Sequence, residues 1–223
     1  MESQIIENVA RIREAIKNGN AYGEKVTLVA ATKTQSAQAI NQAILAGVDA
    51  VAENRVQEFR EKTDSLLPCP QHFIGHLQTN KVKYLIGKIA LFHSCDRDDL
   101  VSEIARLSVK NNVVSNVLIQ INIGSEESKG GYNYDEAKAV YTRISQTEGL
   151  CVKGFMAMLP NTDDEGVLIP LIQNMRTLFN WAKTQSQDIE YLSMGMSGDY
   201  PLCIEHGSNM IRVGSTIFGA RQY

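Results

Sequence analysis

The chain has 223 residues, with 22 Lys plus Arg against 25 Asp plus Glu, so its formal net charge is −3. A chain this close to neutral has no overall electrostatic reason to bind nucleic acid or an anionic membrane, and we expect neither partner. A content of 43% apolar and 21% charged residues is that of a globular protein rather than a disordered or fibrous one.

The cysteines and the first residues indicate the cellular environment. The four cysteines form no C-x-x-C pair, which argues against a thiolate zinc site and against a dense disulfide framework. The first residues carry charges throughout, unlike a signal peptide, and no run approaches the roughly 18 apolar residues that span a bilayer. The sequence therefore predicts a soluble, cytoplasmic protein.

An amphipathic helix opens the chain, because Ile5, Val9, Ile12 and Ile16 recur at steps of three and four residues. Eight short apolar runs follow, separated by segments with helical spacing. The predicted strands are KVTLVAA (25–31), DAVA (49–52), HFIG (72–75), IALFHS (89–94), NVLIQINI (116–123), VKGFMAM (152–158), YLSMG (191–195) and MIRVG (210–214). Helical faces between them carry Leu100, Ile104 and Leu107, then Val140, Tyr141 and Ile144, then Leu171, Met175, Leu178 and Ala182.

The order of these elements predicts the fold class. Nearly continuous apolar strands are typical of a parallel sheet that is covered on both sides. Eight strand-helix units indicate an α/β fold, a single (β/α)₈ TIM barrel over residues 1–223 with an extra N-terminal helix, although such barrels typically take about 250 residues. An open doubly wound sheet is the alternative, but its glycine-rich fingerprint is absent from the sequence.

The loops that follow the strands of a barrel converge on one mouth, so residues there are the candidate site. Lys33 follows the first strand, where partial dehydration favours the neutral amine that attacks a carbonyl. A lysine at this place can equally be a surface residue whose stem covers the rim. Glu53, Asn54 and Arg55 follow the second strand, where they can orient a ligand or simply begin a helix.

Two small-residue pairs follow the last two strands. Ser197 and Gly198 come after strand seven, and Gly214 and Ser215 come after strand eight, each at the start of a short helical segment. Exposed backbone N–H groups and hydroxyls at helix starts bind anions, and barrels frequently hold phosphate at these two loops. The four residues are therefore candidate phosphate ligands.

Arg212 lies in strand eight, in a run that otherwise looks buried. A buried guanidinium stays charged and needs a partner, which can be Glu53, Asp199 or a ring nitrogen of a ligand.

The spacing of His72 and His76 would suit a metal on a helix, but HFIG is a predicted strand. We therefore expect no metal site there.

Six segments together resemble the pyridoxal phosphate homeostasis protein family. They are AATKT (30–34), AENRVQE (52–58), FIGHLQTNK (73–81), ESKGGY (127–132), SMGMSGDY (193–200) and IRVGSTIFGAR (211–221). The resemblance implies a barrel similar to the N-terminal domain of alanine racemases, with Lys33 forming an internal aldimine with pyridoxal 5′-phosphate. It also implies that Ser197, Gly198, Gly214 and Ser215 surround the phosphate, that Asn54 lies near the ring face and that Arg212 lies at the pyridine nitrogen.

Two positions depart from the family pattern. Ala52 stands where the family commonly has Gly, which adds a methyl group near the pocket. Ser215 stands where the family often has Thr, so the hydroxyl is preserved.

The resemblance also bears on function. A cationic arginine leaves the pyridine nitrogen unprotonated, so the ring is a weak electron sink and stabilises a carbanion poorly. Alanine racemases with such an arginine add a second domain, for which a 223-residue chain has no room. The implied function is a monomeric carrier or buffer of pyridoxal phosphate, without robust turnover, that serves client enzymes or a regulatory protein.

Two enzymatic alternatives use the same lysine. One is a weak amino-acid racemase, and the other is a Schiff-base lyase that acts on a phosphorylated substrate without a coenzyme. The lyase has no obvious acid-base partner for Lys33 at a neighbouring strand end, although Tyr132, Tyr200 and His206 remain candidates. An interaction protein whose surface matters more than its pocket is a third alternative.

Overall fold

The computed structural model describes residues 2–126 and 129–219. Eight parallel strands close into a barrel in sequence order. They are β1 (Thr27–Ala31), β2 (Ala50–Glu53), β3 (Gln71–Phe73), β4 (Leu91–Cys95), β5 (Ser115–Ile121), β6 (Leu150–Ala157), β7 (Tyr191–Ser193) and β8 (Met210–Val213).

Helices connect the strands and surround the barrel. They are α1 (Glu2–Ile16), α2 (Ala37–Leu45), α3 (Val56–Lys62), α4 (Asp98–Lys110), α5 (Ala137–Ser145), α6 (Glu165–Gln185), α7 (Tyr200–Glu205) and α8 (Ser215–Phe218). Short 3₁₀ helices cover Thr63–Ser65, Thr79–Tyr84 and Tyr134–Glu136. Within the described ranges, no helix combines the length and the apolar character that crossing a membrane requires.

The prediction of a (β/α)₈ barrel with an extra N-terminal helix is confirmed. All eight predicted strands are present, and their bounds differ from the predicted ones by about two residues at most. The open-sheet alternative is wrong, because β1 pairs in parallel with β8, with Val29 opposite Arg212. Of the segments that carried the resemblance, residues 127–128 and 220–221 lie outside the described residues.

The third unit departs from the regular pattern. A 3₁₀ helix, Thr79–Tyr84, stands where the other units have an α-helix. Gly75 lies between β3 and this 3₁₀ helix, and a Cβ atom at Gly75 would lie 2.0 Å from the carbonyl oxygen of Asn54. The ends of β2 and β3 therefore approach each other backbone to backbone, and only glycine fits there.

Apolar side chains fill two layers of the molecule. One layer lies between the strands and the helices and contains the predicted helix faces, including the buried Leu100, Ile104 and Leu178. The other fills the barrel interior with small and medium side chains such as Val29, Ala50 and Leu118. Polar residues share that interior: the structure buries His72, His93, Gln120, Ser193 and Arg212 on the strands. The interior is therefore less uniformly apolar than the strand sequences suggest.

Helix α1 packs against α2 and α8 through the predicted apolar stripe, in which Ile5, Val9, Ile12 and Ile16 are all buried. The Asn8 side chain donates a hydrogen bond to the carbonyl oxygen of Ile217 at 3.0 Å. Because Ile217 belongs to α8, the N-terminal helix supports the short helix that follows β8.

Candidate functional site

The carboxyl ends of β1, β7 and β8 enclose a cavity of about 240 Å³. Six of the seven predicted site residues line it: Lys33, Ser197, Gly198, Arg212, Gly214 and Ser215. The remaining wall consists of Ala31, Thr34, Gln35, Met196, Phe218 and Gly219. The structure thus brings together residues from both ends of the chain, as expected for loops at one mouth of a barrel.

Hydrogen bonds on both sides of Lys33 fix its loop. The Thr32 hydroxyl donates to the Glu53 carboxylate at 2.7 Å, and the Thr34 backbone N–H donates to the Glu58 carboxylate at 2.7 Å. Thr34 has a φ of 66°, a left-handed conformation that is uncommon for a residue with a side chain. The half-buried Lys33 therefore lies between two residues that are held by carboxylates from β2 and α3.

Lys62 holds both of these carboxylates, since its Nζ lies 3.0 Å from Glu53 and 2.7 Å from Glu58. Burial would raise the pKa of Glu58, but hydrogen bonds from Lys62 and the Thr34 amide lower it below its usual value. At Glu53 burial prevails and raises the pKa, despite the hydrogen bonds from Thr32 and Lys62. The pairing with Lys62, together with the Thr34 amide, thus outweighs burial at Glu58, whereas the pairing with Lys62 and Thr32 does not outweigh it at Glu53.

Ser197 and the start of α8 form the predicted anion-binding end of the cavity. The Ser197 Oγ accepts hydrogen bonds from the backbone N–H groups of Gly214 at 3.2 Å and Thr216 at 3.3 Å. Two N–H groups therefore converge on one oxygen atom. Gly198 and Ser215 are exposed beside this point, and a Cβ atom on Gly198 would contact nothing within 4 Å.

Arg212 forms the deep end of the cavity and is only 5% exposed. Its NH1 donates to the Ser193 carbonyl oxygen at 2.8 Å and to the Ser193 hydroxyl at 2.6 Å, and its NH2 donates to the Ala157 carbonyl oxygen at 3.1 Å. Burial lowers the pKa of Arg212 to about 10, so the guanidinium remains cationic at neutral pH.

Two of the partners predicted for Arg212 are corrected by this arrangement. Within the described chain, neither Glu53 nor Asp199 forms an ion pair with Arg212. Glu53 is held by Thr32 and Lys62 instead, and one Asp199 oxygen accepts the Met196 N–H. Neutral oxygen atoms therefore accept the hydrogen bonds of the guanidinium, while Asp199 acts on it only at longer range.

Asn54, the seventh predicted residue, lines a different cavity. This larger space, about 740 Å³, lies at the ends of β2 and β3 and also borders Arg55, His76, Lys81 and Tyr84. The Asn54 Oδ1 is buried and has no hydrogen-bond partner among the residues that the structure describes. A role of Asn54 at the ring face remains a prediction.

The sequence did not point to a pair of histidines in the barrel interior. His93 Nε2 lies 3.0 Å from His72 Nδ1, and His93 Nδ1 lies 3.3 Å from the Ser193 hydroxyl. Both histidines are buried, on β3 and β4. The one available signal was a histidine inside each of two otherwise apolar strands.

The other candidates lie away from the cavity. Tyr132 donates its hydroxyl to Asp98 at 2.7 Å, and burial together with Asp98 raises its pKa. Tyr200 and His206 begin and follow α7, outside the cavity wall. His76 lies 3.1 Å from Asp96, and no group of metal-binding side chains of three or more members occurs in residues 2–126 and 129–219.

Comparisons with known proteins match nearly the whole chain. A family model described as the N-terminal domain of alanine racemase matches residues 2–222. Curated proteins of Aquifex aeolicus and Haemophilus influenzae, both named pyridoxal phosphate homeostasis protein, are 37% identical over 216 residues and 36% identical over 219 residues. Each alignment covers 96% of this chain, with 95% of the first protein and 92% of the second.

Solved structures also match nearly the whole chain. PipY of Synechococcus elongatus matches with a TM-score of 0.86 and 29% identity in its structure without PLP. Its structure with PLP bound matches with a TM-score of 0.80 and 28% identity. Both matches cover 97% of this chain and 100% of PipY.

Proposed function

Because the chain belongs to the pyridoxal phosphate homeostasis proteins, within the family of the alanine racemase N-terminal domain, we propose that it binds pyridoxal 5′-phosphate and carries or buffers it for other enzymes. The proposal includes no robust turnover, and the relatives are named for homeostasis rather than for a reaction. One observation carries it: Lys33, Arg212 and the amides around Ser197 meet in one cavity.

The phosphate end of the cavity fits an anion. Ser197 Oγ already occupies the place of an oxygen acceptor in front of the Gly214 and Thr216 N–H groups. A phosphate oxygen can take that place, with the Ser197 and Ser215 hydroxyls turned to donate toward it. Convergent backbone N–H groups of this kind bind phosphate in many proteins, and they carry no charge that must be buried when the ligand leaves.

The covalent end of the cavity is Lys33. When bound, pyridoxal phosphate supplies an electrophilic aldehyde, to which a lysine amine can attach with loss of water. The hydrogen bonds of Thr32 and Thr34 hold the backbone on both sides of Lys33, so that the amine reaches the cavity from a fixed position. Attachment of this kind is reversible, as a carrier requires.

Arg212, together with the lack of a second acid-base group, argues against efficient turnover. Burial lowers its pKa only to about 10, so it stays cationic and would disfavour a proton on the pyridine nitrogen of bound pyridoxal phosphate, which would make the ring a weaker electron sink. Among the described residues of this cavity wall, only Lys33 and Arg212 have ionisable side chains. The wall therefore offers no further acid or base to exchange a proton with a substrate besides Lys33.

The test is an absorbance titration of the purified protein with pyridoxal phosphate, followed by borohydride reduction and peptide mapping. We expect a visible absorption band and a label fixed on Lys33. Lys33→Ala should abolish both, whereas Lys25→Ala should change neither, because the Lys25 side chain is 83% exposed and lies at the opposite end of the barrel.

A second assay separates carrier from enzyme. The loaded protein is mixed with the apo form of a pyridoxal-phosphate-dependent enzyme, and recovery of that enzyme's activity is followed alongside racemisation of free amino acids. Transfer without racemisation supports the proposed function. Failure of the wild-type protein to take up the cofactor overturns it, and multiple turnovers with amino acids favour the racemase alternative.

A further inference from the structure

Polar side chains form a continuous hydrogen-bond chain through the barrel interior, which begins at the deep end of the candidate cofactor cavity. Arg212 NH1 lies 2.6 Å from the Ser193 hydroxyl, which lies 3.3 Å from His93 Nδ1. His93 Nε2 in turn lies 3.0 Å from His72 Nδ1. The chain crosses from β7 to β4, which are not neighbours in the sheet. His72 lines a cavity of about 510 Å³ at the amino ends of the strands.

Counting donors and acceptors fixes the direction of this chain. A guanidinium only donates, so the Ser193 oxygen accepts from Arg212 and its own proton goes to His93 Nδ1. A neutral histidine that accepts at Nδ1 carries its proton on Nε2, from which His93 donates to His72 Nδ1. The reverse direction would leave the Ser193 hydroxyl proton without an acceptor among the described contacts. Every donor therefore points away from Arg212.

This direction is the one that stabilises a buried cation. Among the described residues no carboxylate lies in hydrogen-bond contact with Arg212, so neutral oxygen atoms supply its hydrogen bonds, and Asp199 adds an attraction at longer range. The Ser193 hydroxyl and the His93 ring both turn their acceptor atoms, the negative ends of their dipoles, toward the guanidinium. Hydrogen bonds in such a series polarise one another. Both histidines are neutral: burial lowers the pKa of His72 to about 4, and burial, His72 and Arg212 lower that of His93.

We propose that His93 is a positioning residue, which acts through Ser193 to hold the Arg212 guanidinium in the orientation that it presents to the cofactor ring, and that His72 fixes the tautomer in which His93 accepts at Nδ1. The inference rests on the proposed function. Of the four residues in the chain, Arg212 alone belongs to the described wall of the cavity. His72 and His93 therefore influence the ligand without touching it, from the interior and the opposite end of the barrel.

Two substitutions of His93 separate this role from a merely structural one. His93→Asn places an amide oxygen near the position of Nδ1 and keeps an acceptor for Ser193. His93→Gln places its amide near Nε2 and loses that acceptor. We expect His93→Gln to weaken pyridoxal phosphate binding about tenfold, because the buried Ser193 hydroxyl loses its acceptor and then holds Arg212 less firmly, and His93→Asn to stay within about twofold.

The same substitution in an Arg212→Met background tests whether His93 acts through Arg212. There, His93→Gln should no longer change the affinity. Thermal unfolding of each variant shows whether it is folded. Equal affinities for the Asn and Gln variants, or an undiminished effect without Arg212, overturn the inference.

Nitrogen-15 NMR of the wild-type protein tests the chain without any substitution. The sequence has four histidines. His76 and His206 take no part in this series of hydrogen bonds and serve as controls. We expect His93 to be unprotonated at Nδ1 and protonated at Nε2, and added pyridoxal phosphate to shift the signals of His93 and His72 but not those of the controls. A proton on His93 Nδ1 refutes the chain even if the cofactor binds, whereas absent binding refutes the proposed function.

Discussion

Lys62→Met removes the positive charge that holds Glu53 and Glu58 while keeping most of the aliphatic stem. The Lys62 side chain is 15% exposed, and those of Glu53 and Glu58 are 7% and 16% exposed. Burial alone would lower the pKa of Lys62, but its hydrogen bonds to Glu58 and Glu53 raise it, so all three groups depend on one another. The substitution leaves two buried carboxylates next to the loop of Lys33.

Removing one partner of a fully buried ion pair costs about 3–5 kcal/mol. Two effects reduce this cost here: water reaches Glu58 in part, and Glu53 can take up a proton because burial already raises its pKa. We therefore expect a loss of about 2–3 kcal/mol at neutral pH. For a chain of this length each kcal/mol corresponds to about 2–4 °C in Tm, so the Tm should fall by about 4–12 °C.

The pH dependence of this loss has a definite sign. Without Lys62, the folded-state pKa of Glu53 rises further above its unfolded value, and such a group destabilises the protein as the pH rises through its folded-state pKa. Wild-type Glu58 has a lowered pKa, so its stabilising contribution, which the variant lacks, is present above the usual value and is lost as the pH falls. The Glu53 effect makes the variant's deficit shrink on acidification toward pH 4.5, the ordinary value for Glu, and the Glu58 effect makes it shrink further below that pH.

The assay is urea unfolding of wild type and variant at pH 8 and pH 5. Lys25→Met is the matched control, because that side chain is 83% exposed and lies 3.8 Å from its nearest carboxylate, and it should cost less than about 0.5 kcal/mol. Equal stabilities for Lys62→Met and the control, or a deficit that grows on acidification, would show that Lys62 does not hold the two carboxylates as described.

Three further substitutions test other parts of the structure. Ser197→Ala should weaken pyridoxal phosphate binding about threefold to tenfold in an absorbance titration but cost less than about 1 kcal/mol of stability, since it removes one neutral hydroxyl from a partly exposed position. Glu24→Gln should cost about 1–2 kcal/mol at pH 7, a range that is reduced because the side chain is partly exposed to water. Burial would raise the pKa of Glu24, but hydrogen bonds led by that from Arg176 outweigh burial and lower the pKa from 4.5 to about 2. Unfolding curves should therefore show the difference disappearing as the pH falls from 4.5 to 2. Gly154→Ala should cost about 3 kcal/mol or prevent folding, as judged by circular dichroism and melting, because Gly154 has a φ of 142° and a Cβ would lie 1.9 Å from the Tyr191 carbonyl oxygen.

The fold, and the convergence of most candidate site residues on one cavity, followed from local sequence patterns. Apolar runs of strand length alternate with helical spacing, and in a closed parallel barrel that order alone brings the residues after each strand to one mouth. Lys33 and Ser215 are far apart in sequence, yet both line the same cavity. Their convergence is a consequence of topology, which is why spacing and residue type were sufficient to predict it.

The partners of the buried charges did not follow from sequence. Ser193 and His93 are 100 residues apart and meet across the interior, on strands that do not pair. Side chains on one strand alternate between the interior and the helices, but nothing local determines which of the opposite side chains each one reaches. Arg212 could therefore be predicted to need a partner, whereas the choice of a serine hydroxyl over Glu53 or Asp199 required the tertiary structure.

Most of the buried side-chain atoms without a hydrogen-bond partner in the described residues lie close to the mouth of the barrel. Glu53 Oε2 and Asn54 Oδ1, two of the three buried side-chain atoms without a hydrogen-bond partner in the described chain, belong to consecutive residues at the end of β2. Burying such atoms costs stability, and proteins retain them mainly where function requires it. Glu53 also accepts the hydrogen bond of Thr32, next to Lys33 at the end of β1. The carboxylate that has an unpaired oxygen therefore also fixes the backbone that carries the Lys33 amine. Replacing Glu53 by an apolar residue would remove the unpaired oxygen, but it would also take an acceptor from Thr32 and one of the two carboxylates from Lys62, so the same residue that carries an unpaired oxygen supports the loop of Lys33.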